Sequence, residues 1–83
     1  MKTVFITFRS ITPAQRGQKL LQKAGLEVVL QRTPRWMEEQ GCGYCLRLHL
    51  SVAQQACQKL REEKIPFSKV YLGEEGGVRE LRL

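Results

Sequence analysis

Twice in its first 72 residues the chain passes from period-two apolar alternation into helical spacing and back. That rhythm narrows the folds open to it. Thr3 to Arg9 reads T-V-F-I-T-F-R, with Val4, Ile6 and Phe8 on one parity, and predicts a strand with one apolar face. Thr12 then offers an N-cap, Pro13 a first helical position and Gln15 the third residue after the cap, which together make a capping box. Ala14, Gly17, Leu20, Leu21 and Ala24 recur at helical spacing, and Gly25 ends the helix. Leu26 to Arg32 predicts a second strand, stopped by Thr33-Pro34-Arg35. After a loop that contains Trp36, the second round begins. Tyr44, Leu46, Leu48 and Leu50 alternate with Cys45, Arg47 and His49 in a third strand. Ser51 and Gln54 form another capping box, and Ala53, Ala56, Cys57 and Leu60 make the core stripe of a helix closed by Pro66. Lys69 to Leu72 completes the set with a fourth strand, Val70 and Leu72 inward.

The order β-α-β-β-α-β, with two right-handed crossovers and a central hairpin, predicts an α+β ferredoxin-like sandwich. Its sheet would be four-stranded and antiparallel, with both helices on one face. Residues 1–72 would form the single domain and residues 73–83, rich in Gly, Glu and Arg, a mobile tail. The first and third strands would then be central neighbours. Phe8, Arg9 and Ser10 would meet Cys42 and Gly43 at one rim, together with the N-terminus of the first helix and Thr33-Pro34-Arg35.

Composition fits one small domain. Of the 83 residues 42% are apolar, enough for one modest core and too many for wholesale disorder. No apolar run approaches the roughly 20 residues of a membrane span, and the start of the chain is too short in apolar residues for a secretory signal. A cytoplasmic protein is therefore expected. Fourteen Lys and Arg against eight Asp and Glu give a net charge of +6, which favours an anionic partner without choosing one.

Three cysteines cannot all pair within the chain, so reduced thiols serving as metal ligands, redox groups or core filler are expected. Cys57 shares an apolar helical stripe and reads as core. Cys42 lies between Gly41 and Gly43, near the expected helix N-terminus, with Arg9 and Arg35 as sources of positive charge. Such surroundings lower a thiol pKa and favour the nucleophilic thiolate, while flanking glycines let a partner approach closely.

Three short segments, I-T-F-R-S (Ile6 to Ser10), T-P-R (Thr33 to Arg35) and C-G followed by L-R-L (Cys42-Gly43, Leu46 to Leu48), resemble the small Se/S carrier-like proteins of bacteria and archaea. The likeness covers roughly residues 1–72. It implies that Cys42 carries sulfane sulfur or selenium as a persulfide or selenopersulfide, with Gly43, Thr33, Arg35 and Arg9 around it. It implies a donor such as a cysteine desulfurase, an acceptor protein, and a shuttle rather than an enzyme with its own turnover. The chain departs from the family at Cys45, where a small or apolar residue is more usual, and in its extra tail. Cys45 is a candidate resolving thiol. Residues three apart in an extended strand are about 10 Å apart, however, against the roughly 5.5 Å that a disulfide prefers.

Other readings compete. C-G-Y-C resembles a glutaredoxin-type dithiol, but such a pair opens a helix, whereas this one leads into a strand. Cys42, Cys45, His49 and Cys57 approach a zinc-knuckle spacing without matching it, so no metal or cofactor is expected. The open sheet face should present Phe5, Val29, Arg47, His49 and Tyr71. Aromatic and basic residues there suggest an RNA-binding sheet, yet the third strand lacks the expected aromatic pattern. That face is read as solvated or as the seat of a homodimer. Trp36 is read as a lid or as cover for the core edge. Gly76-Gly77 is followed by six residues, which counts against a terminal Gly-Gly carrier.

Overall fold

The computed structural model describes residues 2–34, 43–74 and 77–83. Cys42, Arg35, Trp36 and Gly41 lie outside the described residues, as does Gly76 of the Gly76-Gly77 pair. The elements run β1 (Thr3–Phe8), α1 (Ile11–Lys23), β2 (Val29–Arg32), β3 (Tyr44–His49), α2 (Leu50–Glu62), β4 (Val70–Glu74) and β5 (Gly77–Leu81). The sheet has the order β2-β3-β1-β4-β5, and every neighbouring pair is antiparallel. β1 is central, between β3 and β4.

The sheet is thus five-stranded, and the four-stranded expectation is corrected. The tail expected to hang free supplies β5, which pairs with β4 from Val70↔Leu81 to Glu74↔Gly77. Gly77, the first residue of β5, has a φ of +156°, a value that a side chain resists. Leu81 at the end of this added strand and Leu83 just beyond it pack against the core.

The register makes the two sheet faces unlike. Val4 faces Leu48 and Leu72, and Ile6 faces Leu46 and Val70, so these residues share one face. They are buried together with Ala14 and Leu21 of α1 and Ala53, Ala56, Cys57 and Leu60 of α2. Both helices therefore cover the same face. Each large side chain buried there contributes about 1.5–3 kcal/mol relative to exposure. Gly17 lets α1 approach closely: a Cβ there would lie 3.1 Å from Leu60 Cδ2 and 3.3 Å from Leu46 Cδ1.

The helix boundaries differ from the capping-box expectations. α1 begins at Ile11 with Ser10 as N-cap in extended conformation, two residues before the expected Thr12. Pro13 accommodates this because its missing N–H falls among the unbonded donors of a first turn. α2 begins at Leu50, and its cap is His49 rather than Ser51. The ring Nδ1 accepts from Ser51 N–H at 3.0 Å and lies 2.8 Å from Ser51 Oγ. Both helices close with the same motif. Leu26 N–H donates to Leu21 O and Gly25 N–H to Gln22 O, while Ile65 N–H donates to Leu60 O and Lys64 N–H to Arg61 O. This is the Schellman pattern, which needs a left-handed residue. Gly25 supplies it in α1 at φ +85°, and Lys64 supplies it in α2 at φ +56°. β2 starts at Val29, three residues later than expected, because the turn through Gly25 and Leu26 uses the chain first.

Candidate functional site

One rim of the sheet gathers the end of β1, the start of α1, the end of β2 and the start of β3. Two bonded crossings fix it. Thr33 N–H donates to Gly43 O at 2.9 Å, closing the neck of the β2–β3 hairpin. Ser68 N–H donates to Thr7 O at 2.7 Å and Thr7 N–H to Lys69 O at 2.8 Å, which carries the β1–β4 pairing one step beyond β4. The Thr7 hydroxyl joins in, donating to Lys69 O at 3.1 Å and accepting from Lys69 N–H at 3.0 Å. Phe8 pairs with Tyr44, so Arg9 follows beside Gly43.

The expected gathering of Arg9, Thr33, Gly43 and the α1 N-terminus at one rim is therefore present among the described residues. Arg9 is exposed and borders a hollow of about 440 Å³ with Ser10, Pro13, Pro66, Phe67 and Ser68. Ser10 makes no side-chain cap bond, and the first turn of α1 contains no acidic residue. This helix end thus offers its partial positive charge to the rim. A further cation escaped the sequence reading. Arg32 stacks over the Tyr44 ring, 5.3 Å from its centroid. Drawing the hairpin register, in which Arg32 faces Tyr44, would have revealed the pair.

Two of the three cysteines lie among the described residues, on opposite sides of the sheet. Cys57 is fully buried in the helix-side core, as its stripe predicted. Burial pushes its thiol pKa up, and the nearby Arg61 charge offsets only part of the rise. Cys45 faces away from the helices, opposite Thr7 on β1 and Gln31 on β2. It is nevertheless fully buried. Burial raises its pKa as well, opposed by the Thr33 hydroxyl, the Gln31 side chain and the Arg47 charge. The separation of Cys45 from Cys57 also divides the donors of the zinc-knuckle spacing, and His49 is engaged as a helix cap. Among the described residues, no group of three or more His, Cys, Asp or Glu side chains is placed to hold a metal ion.

Thr33 is 5% exposed, and its Oγ1 has no hydrogen-bond partner among the described residues. The Cys45 thiol lies near enough to feel that hydroxyl but does not reach hydrogen-bond geometry with it. An unsatisfied buried hydroxyl costs about 1–3 kcal/mol. Opposite Thr33, Gly43 has no positive φ, and a Cβ built on it would meet nothing within 4 Å. Neither backbone strain nor packing among the described residues therefore requires glycine there.

On the open face the row Val29, Arg47, Phe5, Tyr71, Glu80 crosses all five strands. Val29 is 46% exposed, Phe5 and Tyr71 are half-buried, and charged residues interrupt the apolar ones. Among the described residues, no helix is long and apolar enough to cross a membrane.

Comparison with known proteins agrees with the resemblance seen in the short motifs. The family described as "Putative Se/S carrier protein-like" matches residues 3–72, and the chain belongs to that family. The matched span ends before β5. No curated protein sequence and no solved structure gives a significant match.

Proposed function

We propose that the protein is a thiol carrier that accepts a sulfur or selenium atom on Cys42 from one protein and delivers it to another. The observation that supports this most is the fate of the other thiols. Cys45 and Cys57 are fully buried, with pKa values raised by that burial. A buried, neutral thiol is a poor nucleophile, which leaves Cys42 as the candidate carrier atom. The family assignment supplies the cargo class. Cys42 precedes Gly43 in the sequence, and the rim around Gly43 supplies a helix N-terminus, Arg9 and Arg32.

Loading is a transfer of a sulfur atom between thiols. The Cys42 thiolate attacks the terminal sulfur of a donor persulfide, R–S–SH. A new S–S bond forms to Cys42, the donor S–S bond breaks, and R–S⁻ departs. Cys42 then holds a persulfide, and no outside oxidant is consumed. Delivery repeats the exchange in reverse, with the acceptor's thiolate attacking the terminal atom. Selenium follows the same path as R–S–SeH. A cysteine desulfurase in the cytoplasm is the donor class that fits, because it forms a protein persulfide. Arg9, Thr33, Gly43 and Arg35 form the surroundings of the cargo. The burial of Cys45 weighs against its acting as a resolving thiol in this conformation.

Intact mass of the protein after incubation with a persulfide-loaded donor protein tests the proposal. One added sulfur atom, lost on reduction and missing in Cys42→Ser, is the expected result. Equal loading of Cys42→Ser would overturn it.

A further inference from the structure

The acidic residues of the chain are all glutamate, and none precedes Glu27. Residues 1–26 therefore carry Lys2, Arg9, Arg16, Lys19 and Lys23 with no opposite charge among them. Three of these cations sit on α1. At about 100° per residue, Arg16, Lys19 and Lys23 fall within about 60° of one another around the helix, roughly opposite the buried Ala14, Gly17 and Leu21. All three are exposed, and among the described residues none of their side chains takes part in an ion pair or hydrogen bond. Arg16 and Lys19 are three residues apart and Lys19 and Lys23 four, so they are neighbours on the helix surface, where like charges repel. The end of α2 is arranged otherwise, with Lys59 three and four residues from Glu62 and Glu63. The α1 row thus costs the folded chain stability and gains nothing within it, which marks it for a partner. Beside the row lies a hollow of about 620 Å³, between α1 and the segment that follows α2. The three cations line it together with Glu63, and the half-buried Leu20 and buried Ile65 give it an apolar lining.

We propose that this face of α1 docks an acidic amphipathic helix of a partner protein, with carboxylates on Arg16, Lys19 and Lys23 and an apolar side chain over Leu20 and Ile65. Charge complementarity sets the sign of the occupant, and a helix can repeat its carboxylates at the same intervals as the row. The apolar lining favours a side chain that leaves water. Glu63 asks for one position of opposite or neutral charge. A protein segment can vary its charge from residue to residue in this way. A nucleic-acid backbone is negative at every step and would be held against Glu63. Among the described residues, the lining also has no aromatic side chain on which a base could stack. Neither Cys42 nor the sheet rim enters this surface, so it does not depend on the carrier reading.

The test is fluorescence anisotropy of a labelled synthetic helix of about 18 residues, with glutamates at i, i+3 and i+7, leucines beside them and one lysine to meet Glu63. Titrated with the full chain at low salt it should bind, and added salt should weaken the complex. Replacing its leucines by glutamine should weaken it too. Arg16→Gln/Lys19→Gln/Lys23→Gln should bind at least about tenfold more weakly than wild type. Lys2→Gln/Arg47→Gln/Arg82→Gln removes the same charge from residues that do not line the hollow, and should bind within about twofold of wild type. The α1 variant should melt no lower than wild type, since it relieves like-charge pairs. A clearly lower melt shows that the row serves the fold and overturns the inference. Equal losses in the two triple variants overturn it as well, because they report net charge alone. So does a peptide that fails to bind wild type, or one that binds equally without its leucines. A single-stranded oligoribonucleotide that binds more tightly than the peptide, and loses that binding in the α1 variant, assigns the row to nucleic acid and overturns it too.

Discussion

The assignment of Cys42 as carrier atom predicts a steep hierarchy among the three thiols. An unperturbed cysteine has a pKa near 8.5, so about a tenth is thiolate at pH 7.5. Each unit upward removes another factor of ten, and burial raises both Cys45 and Cys57. Both are also fully buried, so an alkylating reagent reaches them only after the surrounding structure opens. An opening that costs even about 3 kcal/mol leaves roughly one molecule in 150 accessible. Opening also removes the burial that raises the pKa, so accessibility alone sets the ratio, and native Cys45 and Cys57 should label at least about a hundredfold more slowly than Cys42. The assay is brief treatment with limiting iodoacetamide at pH 7.5, followed by trypsin and mass spectrometry. Cys42 and Cys45 share the tryptic peptide Trp36 to Arg47, so fragment ions must divide the label between them. A parallel reaction in denaturing urea calibrates the intrinsic rates. Native labelling of Cys45 or Cys57 within tenfold of Cys42, with comparable rates in urea, would refute the assignment.

Four further outcomes follow from the same geometry. Cys57→Asp should unfold or severely destabilise the domain in urea titrations, because an unpaired charge would sit in the helix-side core, whereas Cys57→Ala should lose a little stability and load normally. Stability should also fall in alkali. The folded pKa values of Cys45 and Cys57 are raised, so their contribution is complete below the unfolded pKa near 8.5 and is lost as pH rises through the folded values. Urea midpoints at pH 7.5 and in mild alkali should therefore separate more for wild type than for Cys57→Ala, and equal separations would remove the thiol from the effect. Lys64→Gly should stabilise the protein by about 0.5–1 kcal/mol and Gly25→Ala should destabilise it by about 1 kcal/mol, since each residue closes a helix in left-handed conformation; thermal melts of the two variants must move in opposite directions. Arg9→Ala and Arg35→Ala should raise the pH midpoint of Cys42 alkylation, less so in high salt, with melting nearly unchanged; superimposable titrations would take both arginines out of the mechanism.

Central elements were legible in the sequence because their apolar residues alternate against a covered face. Val4, Ile6 and Phe8, paired with Leu48, Leu46 and Tyr44, give both strands and their register. The strand at the other edge was hidden for a physical reason. β5 is G-V-R-E-L, with two charged residues in five. Edge strands commonly carry charge, which discourages further pairing, so an edge can read like a solvated tail. The helix starts were hidden by their chemistry. Ser10 caps by backbone conformation alone, and the α2 cap is an imidazole nitrogen rather than a hydroxyl or carboxylate. Nothing in the residue type of Lys64 announces a left-handed turn. Of the site, Arg9, Thr33 and Gly43 could be placed once β1 and β3 were recognised as neighbours. That the Thr33 hydroxyl has no hydrogen-bond partner among the described residues could not, because satisfaction is a property of the folded surroundings.

The C-G-Y-C segment shows how a motif changes meaning once its strand is known. Read as letters, it is a dithiol. Read on β3, Cys45 is a paired strand residue with Thr7 on one side and Gln31 on the other, buried at full depth. Bringing its sulfur out would break the start of β3, including the Thr33–Gly43 bond and the pairing of Tyr44 with Phe8 and Arg32. Each such bond contributes about 0.5–1.5 kcal/mol, and the Arg32–Tyr44 stacking would be lost with them. A carrier that had to spend this energy at every turnover would release its cargo slowly. On the carrier reading, release therefore falls to the acceptor's thiol. Cys45 remains a buried residue of β3, paired on both sides.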